Sequence, residues 1–500
     1  MSKNEVEKEN SNIRKRFVKS FAVIGTGTFL NMLIGLITTP IITRIVDPVE
    51  YGQLSIFTMY TTIAVMVLCL GLDQALVRYY YEADSLDYKS SLVKKCVTIP
   101  MMITLICSLM VILFSKLRIF NFEFDTRTMF LLCVNVSIQL VYRFSLLVVR
   151  LAYNSKLYSL LQVLQKVSYV CVALLLINIT NSNYFFMLAF ATTFSFVIGL
   201  TLSLVSQKDI WSFRKNQMLA CSVTTKDLIH YGYPFIFSMG ITTLFQAIDK
   251  ISLNMYCSYT EVGIYSSTMS IVHIFSLVQS TFNTLWAPTA MEHYCKDKSD
   301  RSLYISANKI ITVIMFFIGI SLILFKDIFV LLLGEKYREA AYILPFLIFN
   351  PIMYTISETT VSGLVFAKKS NMQVVVAVGA CLTNIIGNTI FVPRLGCQGA
   401  AISTGISYIV FFALRTALSN RYFYVDYPLK RFSALTVVVC VYAYYNTFIK
   451  FSVFSVIGYF VCLAILILLY RDTVKKCLQS ALKIFSSTRK NNNKKTPENL

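Results

Sequence analysis

The chain has 500 residues, of which 56% are hydrophobic and 14% are charged, and its mean hydropathy is +0.64. A soluble chain carries about a quarter of its residues as charged side chains, so this composition excludes a soluble multidomain protein and indicates a membrane protein. Lys and Arg number 46 against 25 Asp and Glu, which gives a net charge of +21. The 13 cysteines contain no Cys-x-x-Cys pair, so neither a zinc site nor a disulfide framework is predicted.

The first 19 residues are polar and basic, and the apolar block after them lacks a cleavage site of small residues. We therefore predict a retained first helix and not a signal peptide. About fourteen apolar blocks are each long enough to cross roughly 30 Å of hydrocarbon as a helix. They span residues 20–43, 53–73, 97–115, 128–149, 158–179, 184–205, 232–256, 263–290, 308–333, 341–366, 372–392, 398–418, 433–449 and 451–470. The sequence predicts an all-α polytopic membrane protein.

Lys and Arg are unequally distributed between alternate connections. About 34 fall on the side that bears both termini and about 9 on the other, so both termini are predicted to be cytoplasmic. The segment 474–485 is amphipathic and is predicted to lie on the inner leaflet. Most of the positive charge is thus a signal of topology. A nucleic-acid partner is excluded, because no soluble segment interleaves aromatic and basic residues.

The chain also repeats itself. A shift of 211 residues places Gly52 on Gly263 and Ser55 on Ser266, and a repeat of six helices preserves orientation. We predict two six-helix lobes related by a pseudo-two-fold axis along the membrane normal, with two further helices. Chance matching between apolar segments is the alternative. The predicted organisation is a cytoplasmic segment (1–19), an N-lobe (20–205), a cytoplasmic linker (206–231), a C-lobe (232–418), two added helices (433–470) and a basic cytoplasmic tail (471–500).

Polar side chains follow helical spacing inside several apolar blocks. One such line is Asn135, Gln139 and Arg143. Ionisable groups in hydrocarbon are costly and tend to face the protein interior or a water-filled path, so the lines indicate a wet cavity with a cationic bias. Asn and Gln also join helices by hydrogen bonds without any ligand, and Arg143 and Lys166 could instead extend to the cytoplasmic interface. Asp249 and Lys250 are adjacent, so their side chains point about 100° apart and cannot form a simple facing pair.

Several signals of enzymes are missing from the sequence. No glycine is followed by lysine, so the phosphate loop of nucleotide hydrolases is absent, and the three histidines are too dispersed to indicate a metal site. The longest predicted outer connection, about residues 116–128, is too short for an extracytoplasmic catalytic domain. Neither an enzyme nor a cofactor is predicted.

Four short motifs resemble those of one family. They are Thr39-Pro40 with Arg44, Asp47-Pro48 and Glu50-Tyr51-Gly52; Gly71-Leu72 with Ala75 and Arg78-Tyr79; Asp249-Lys250 with Glu261-Val262-Gly263-Ile264-Tyr265-Ser266; and Pro393-Arg394-Leu395-Gly396 with Gly399-Ala400-Ala401. In this order, over about residues 17–420, the chain resembles Wzx-type flippases of lipid-linked oligosaccharides, in the multidrug/oligosaccharidyl-lipid/polysaccharide exporter superfamily. One departure is Lys250, where Arg is common, so the charge is kept but the bidentate fork is lost.

The resemblance implies that two lobes alternate access to carry an undecaprenyl-diphosphate-linked oligosaccharide outward, for O-antigen, capsule or exopolysaccharide synthesis. Candidate headgroup ligands are Arg143, Lys166 and Lys250, with Arg78 at the cytoplasmic rim, although Arg78 could simply be an interfacial anchor. The polar lining would comprise Asn31, Asn135, Gln139, Gln246, Asn283 and Tyr354. Candidates for coupling to H⁺ or Na⁺ are Asp249, Glu358 and Asp73.

The expected partners are the lipid-linked substrate, membrane lipids, and a polysaccharide polymerase with its chain-length regulator, and the chain is expected to be a monomer. Two alternatives remain open. A cation-coupled drug antiporter of the same superfamily would prefer an acidic and aromatic lining, so the basic residues inside helices count against it. A membrane-bound glycosyl or acyl transferase would need catalytic acids or histidines converging on one side.

Overall fold

A computed structural model describes residues 3–82, 85–117, 123–179, 183–211, 223–369, 371–476 and 479, and the secondary structure of these residues is helical. In chain order, the helices are α1 (Lys3–Ile45), α2 (Pro48–Leu68), α3 (Leu72–Tyr79), α4 (Leu86–Lys116), α5 (Thr126–Leu151), α6 (Ser155–Ile179), α7 (Tyr184–Ser206), α8 (Lys208–Trp211), α9 (Thr225–Tyr256), α10 (Tyr259–Lys296), α11 (Ser302–Leu324), α12 (Lys326–Val330), α13 (Ala340–Leu347), α14 (Phe349–Thr360), α15 (Ser362–Phe366), α16 (Asn371–Asn420), α17 (Leu429–Phe448) and α18 (Val453–Leu469). A short 3₁₀ helix spans Glu335–Tyr337.

Every predicted apolar block falls on these helices, so the all-helical, multi-span class is confirmed. Among the described residues, nine helices are long and apolar enough to cross a membrane, or ten if the bent α10 is one span. The predicted number is higher for physical reasons. The helix α16 holds two of the blocks, which meet at Gly396 with a φ of 54°. The helices α9 and α17 are continuous but contain no stretch as apolar as the other spans, and α18 has only 17 residues. Most of the predicted segment 474–485 and part of the linker 206–231 lie outside the described residues.

The first two helices are separated by a much shorter connection than predicted. The helix α1 continues to Ile45 and α2 begins at Pro48, so Glu50 and Gly52 lie in the first turns of α2 and not in a loop. Proline is well suited to the first position of a helix, because the missing N–H would have no partner there. The predicted start of this block at residue 53 was therefore wrong by about one turn.

The second predicted block ends in a break instead of continuing to residue 73. Leu70 has a φ of 55° and Gly71 a φ of 68°, both in the left-handed region. The chain then turns into the short helix α3, which contains Asp73 near its start and Arg78 near its end. The left-handed conformation is unfavourable for Leu, so the surrounding packing must hold this break in place.

The fold divides into two compact units, Met1–Ser266 and Ser267–Leu500. Unit 1 has a core around α3, the start of α4 and the end of α5, in which Leu72, Leu92 and Phe144 are fully buried. Unit 2 contains an aromatic cluster around Tyr304 and Phe423. The predicted lobes 20–205 and 232–418 remain a prediction.

Residues that the predicted repeat relates to one another are in contact within unit 1. A side chain on Gly52 would collide with the carbonyl of Tyr259, and one on Gly263 would collide with the carbonyl of Pro48. One turn further, the hydroxyls of Ser55 and Ser266 are 2.6 Å apart. Residues on a two-fold axis contact their own counterparts, but the duplication itself stays a prediction. Only glycine permits this approach of the two helix starts.

Candidate substrate-binding site

The side chain of Lys166 is exposed, although its neighbours on the same face of α6 are buried. On α6, Ser159 and Ala173 lie two turns before and two turns after Lys166 on the same face, and both are buried. Ser159 packs against α1, where it donates a hydrogen bond of 3.1 Å to the carbonyl of Val23. The exposed apolar residues of α6, such as Leu175, lie on another face. Lys166 therefore lies on the side of α6 that packs against α1, and not on the side of its exposed apolar residues.

The same distinction applies to α9. Thr242 and Gln246 are exposed and Lys250 is half-buried, each one turn from the next. The large exposed apolar side chains of this helix, Phe237 and Leu244 among them, point roughly the opposite way. A helix with exposed apolar groups on one side and exposed polar groups on the other is solvated by lipid and by water respectively. Gln246 and Lys250 thus lie on the polar side of α9, opposite its exposed apolar side chains. No ion pair of Lys166 or Lys250 occurs among the described residues.

Asp249 points away from that exposed line. It is buried, and its carboxylate accepts a hydrogen bond of 2.6 Å from the hydroxyl of Tyr265 on α10. The adjacent Lys250 stays partly exposed, as the predicted divergence of two neighbouring side chains requires. Asp249 links two helices of unit 1, and its predicted role in ion coupling stays a prediction.

Arg143 forms an ion pair with Asp73. The Nε and Nη2 atoms of Arg143 on α5 lie 3.1 and 2.6 Å from Oδ2 of Asp73 on α3. The side chain of Asp73 is 6% exposed, whereas that of Arg143 is 38% exposed. The ion pair thus fixes the position of Arg143, while part of its side chain remains accessible to a ligand. The structure joins one predicted headgroup ligand to one predicted coupling carboxylate.

The other polar residues of this line on α5 are satisfied within the protein. Asn135 is fully buried; its amide donates to the hydroxyl of Thr61 at 3.2 Å, and its oxygen accepts from Gln139 at 3.1 Å. These bonds tie α2 to α5. The environment of these polar residues therefore changes along α5: Asn135 joins two helices, whereas Arg143 is a partly exposed cation.

Two further predicted lining residues carry an amide oxygen that the described residues leave without a hydrogen-bond partner. These are the buried Oδ1 atoms of Asn31 on α1 and Asn283 on α10. Buried polar atoms in proteins are nearly always paired. Both oxygens are enclosed by the protein in this conformation, so a ligand could reach them only after the surrounding helices had moved.

Arg78 lies at the end of α3, paired with Glu82 at 3.0 Å, and its side chain is 53% exposed. Its guanidinium also lies 5.3 Å from the centroid of the Tyr79 ring. Exposed pairs of this kind contribute little to stability, and aromatic and basic residues together are typical of a membrane interface.

Unit 2 contains a second ion pair, one partner of which the sequence analysis missed. Nη1 of Arg415 on α16 lies 2.7 Å from Oε1 of Glu358 on α14 and 2.7 Å from the hydroxyl of Ser357. The Arg415 side chain is only 7% exposed, and its guanidinium lies 5.5 Å from the ring of Tyr354 and 5.4 Å from that of Phe411. Tyr354, a predicted lining residue, stacks on Phe411 and forms a wall of this buried pair.

Lys326 is a second buried cation that the sequence analysis missed. It is fully buried on α12, and its ammonium donates hydrogen bonds to the carbonyls of Asn446 at 2.5 Å and Ile449 at 3.3 Å. These carbonyls end α17, where a positive charge is favourable. Lys326 therefore has a structural role that attaches α17 to the rest of unit 2. In the part of the chain that the structure describes, no group of His, Cys, Asp or Glu side chains could hold a metal ion.

Comparisons with known proteins agree with this architecture. A family model described as "Polysaccharide biosynthesis protein" matches residues 17–293, more than half of the chain. An uncharacterized membrane protein of Methanocaldococcus jannaschii is 21% identical over 394 residues, which cover 74% of this chain and 76% of that protein.

Solved structures share the fold. The lipid II flippase MurJ in an inward closed conformation superposes with a TM-score of 0.67 at 17% identity, covering 92% of this chain and 100% of that one. An inward-facing multidrug resistance transporter of the MATE family, in the MOP superfamily, gives a TM-score of 0.55 at 13% identity, covering 78% and 94%. The chain thus has the fold that these two transporters share. The family match and this fold together support the prediction that the chain is not an enzyme.

Proposed function

We propose that this chain, which belongs to the polysaccharide biosynthesis protein family, is a Wzx-type flippase that carries an undecaprenyl-diphosphate-linked oligosaccharide across a bacterial cytoplasmic membrane. The observation that carries the proposal is the position of Lys166, an exposed cation on the side of α6 that packs against α1. A diphosphate requires such cations, and a sugar requires hydroxyl and amide groups, which α9 supplies at Thr242 and Gln246. An uncharged or cationic cargo would gain nothing from the lysines.

The three cations of unit 1 lie at different depths. At a rise of about 1.5 Å per residue, Arg143 lies about 12 Å from the end of α5 and Lys166 about 16 Å from the start of α6, on the side that we assign to the cytoplasm. Lys250 lies about 9 Å from the opposite end of α9. A headgroup moving through unit 1 would therefore meet a positive charge in the inner, middle and outer parts of the membrane.

The proposal is tested by transport in proteoliposomes. Purified protein is reconstituted with an undecaprenyl-diphosphate-linked oligosaccharide, and its appearance in the outer leaflet is followed with a glycan-cleaving enzyme added outside. Lys166→Gln and Lys250→Gln are each expected to reduce the rate about tenfold or more, the effect of one charge-assisted hydrogen bond to phosphate.

The matched control is Lys156→Gln. Lys156 is also an exposed lysine of α6, but it lies in the first turn of the helix and on another face than Lys166. This variant should transport at the wild-type rate. Wild-type rates for Lys166→Gln and Lys250→Gln, at equal protein levels, would rule out the cationic path.

Alternating access requires the helix starts of α2 and α10 to separate during transport. Because the hydroxyls of Ser55 and Ser266 are 2.6 Å apart, a Ser55→Cys/Ser266→Cys variant should form a disulfide, whose sulfur atoms are about 2 Å apart. Oxidation should then stop transport, and reduction should restore it, while each single variant should be unaffected. Continued transport by the cross-linked protein would contradict an opening at this end.

The remaining parts of the proposal are its ion coupling and its partners. Asp249 stays a candidate for ion coupling, and its carboxylate accepts a 2.6 Å hydrogen bond from Tyr265. The other two candidate carboxylates, Asp73 and Glu358, are paired with Arg143 and Arg415. A polysaccharide polymerase and its chain-length regulator would take the product on the outer side. The multidrug alternative predicts that a strain lacking the protein becomes drug-sensitive while its surface polysaccharide stays normal.

A further inference from the structure

The break between α2 and α3 fixes the position of Asp73. A side chain on Gly71 would collide with the carbonyl of Gly232 on α9, so the turn is held directly against a neighbouring helix. Asp73 follows in the first turn of α3, where the exposed amide groups of a helix favour a negative charge. The carboxylate thus cannot move without disturbing two helix contacts.

The carboxylate of Asp73 is fully occupied. Its Oδ1 accepts from the backbone N–H of Gln74 at 2.9 Å, and its Oδ2 accepts from the Gln74 amide at 3.2 Å. The same Oδ2 accepts both hydrogen bonds of Arg143. A buried carboxylate that lost its cation would be left uncompensated, so exchanging Arg143 for a small ion is unfavourable and Asp73 keeps Arg143 in place.

Arg143 is only partly occupied by this pairing. A guanidinium has five N–H groups, and Asp73 receives one from Nε and one from Nη2. The thiol of Cys69 makes a further contact, yet 38% of the side chain remains exposed. Asp73 therefore holds one edge of the planar group while part of the group stays accessible.

We propose that Asp73 is a positioning residue that orients Arg143 to bind a phosphate of the lipid-linked substrate. This inference rests on the proposed function and deepens it. A free arginine side chain samples many rotamers, and a fork fixed in advance loses less entropy when it binds phosphate. The role assigned to Asp73 differs from ion coupling, because its charge is retained throughout transport.

The test is the affinity of the purified protein in nanodiscs for undecaprenyl diphosphate, which carries the headgroup without sugars. Asp73→Asn keeps the size of the side chain but removes the charge that orients Arg143, and should raise Kd about tenfold. Arg143→Lys keeps the ion pair but lacks the fork, and should raise Kd by a similar factor. In transport, Asp73→Asn should raise KM more than it lowers kcat.

Two controls separate positioning from a merely structural role. Glu82→Gln is the matched control, since Glu82 is also paired with an arginine of α3 but is exposed; its Kd should be that of the wild type. The exchange Asp73→Arg/Arg143→Asp keeps an ion pair between α3 and α5 but reverses it. It should bind as weakly as Asp73→Asn, and a wild-type Kd for the exchange would show that the pair only joins two helices.

Each outcome has a distinct meaning. A wild-type protein that does not bind undecaprenyl diphosphate contradicts the proposed function itself. A wild-type protein that binds, together with an Asp73→Asn variant that binds equally well, contradicts only the role of Asp73. If Asp73→Asn fails to fold, Arg143→Lys decides, and an unchanged Kd for that variant overturns the proposal.

Discussion

Two arginine–carboxylate pairs of nearly equal length differ in what surrounds them. The pair Arg143–Asp73 in unit 1 measures 2.6 Å and the pair Arg415–Glu358 in unit 2 measures 2.7 Å. The arginine is 38% exposed in the first and 7% exposed in the second. An arginine inside a membrane helix is therefore not in itself evidence for a ligand site. Access to the guanidinium distinguishes a pair that can bind a substrate from one that joins helices.

The surroundings of Arg415 explain its burial. Its guanidinium lies between the ring of Tyr354 at 5.5 Å and that of Phe411 at 5.4 Å, and such contacts are worth about 2 kcal/mol when water is excluded. Glu358 and the hydroxyl of Ser357 take its hydrogen bonds. The pair joins α14 to α16, and Glu358 already has a cation supplied by the protein.

The largest expected effect follows from breaking this buried pair. Arg415→Ala leaves Glu358 uncompensated and removes the contact with two aromatic rings, so it should lower the free energy of unfolding by about 3–5 kcal/mol. Arg143→Gln should cost less, because Gln74 still donates two hydrogen bonds to Asp73. Thermal unfolding of the purified variants in the same detergent measures both.

A double variant separates stability from function in unit 2. Glu358→Gln/Arg415→Met removes both charges and retains much of the volume, so it should recover most of the stability lost in Arg415→Ala. It should also transport substrate, because a pair whose role is to join α14 to α16 takes no part in ion coupling. A stable double variant without transport would show that Glu358 acts in ion coupling after all, and that the two pairs are more alike than their burial suggests.

The smallest expected effect belongs to the exposed pair Arg78–Glu82. Arg78→Ala should change the free energy of unfolding by no more than about 1 kcal/mol and should leave most of the transport rate intact, because Arg78 is 53% exposed at the end of α3. Transport in proteoliposomes checks this. A loss as large as that expected for Lys166→Gln would place Arg78 among the substrate ligands and not among the interfacial anchors.

The missed arginine shows where sequence reasoning reaches its limit. Arg415 lies near the end of the predicted helix 398–418, and a basic residue there is normally explained as an interfacial anchor. A signal was nevertheless present, because Glu358 inside an apolar block requires a compensating cation. The sequence does not tell which cation that is, since 57 residues separate the two partners.

The polar line on α5 shows the same limit within one helix. Helical spacing correctly groups Asn135, Gln139 and Arg143 on one side of α5. It cannot distinguish Asn135, which is buried against Thr61, from Arg143, which is exposed. That difference depends on how closely neighbouring helices approach at each level of the membrane.

Composition and hydropathy by themselves determined that this is a polytopic helical membrane protein, and they located its helices, since the length of an apolar segment is a local property. The 211-residue spacing also pointed to Gly52 and Gly263, which contact each other's helices in the structure. Only the tertiary structure decided which intramembrane charges are neutralised and which remain accessible. The reason is that the cost of burying a charge depends on partners distant in sequence, and packing alone brings Arg143 to Asp73 and Arg415 to Glu358.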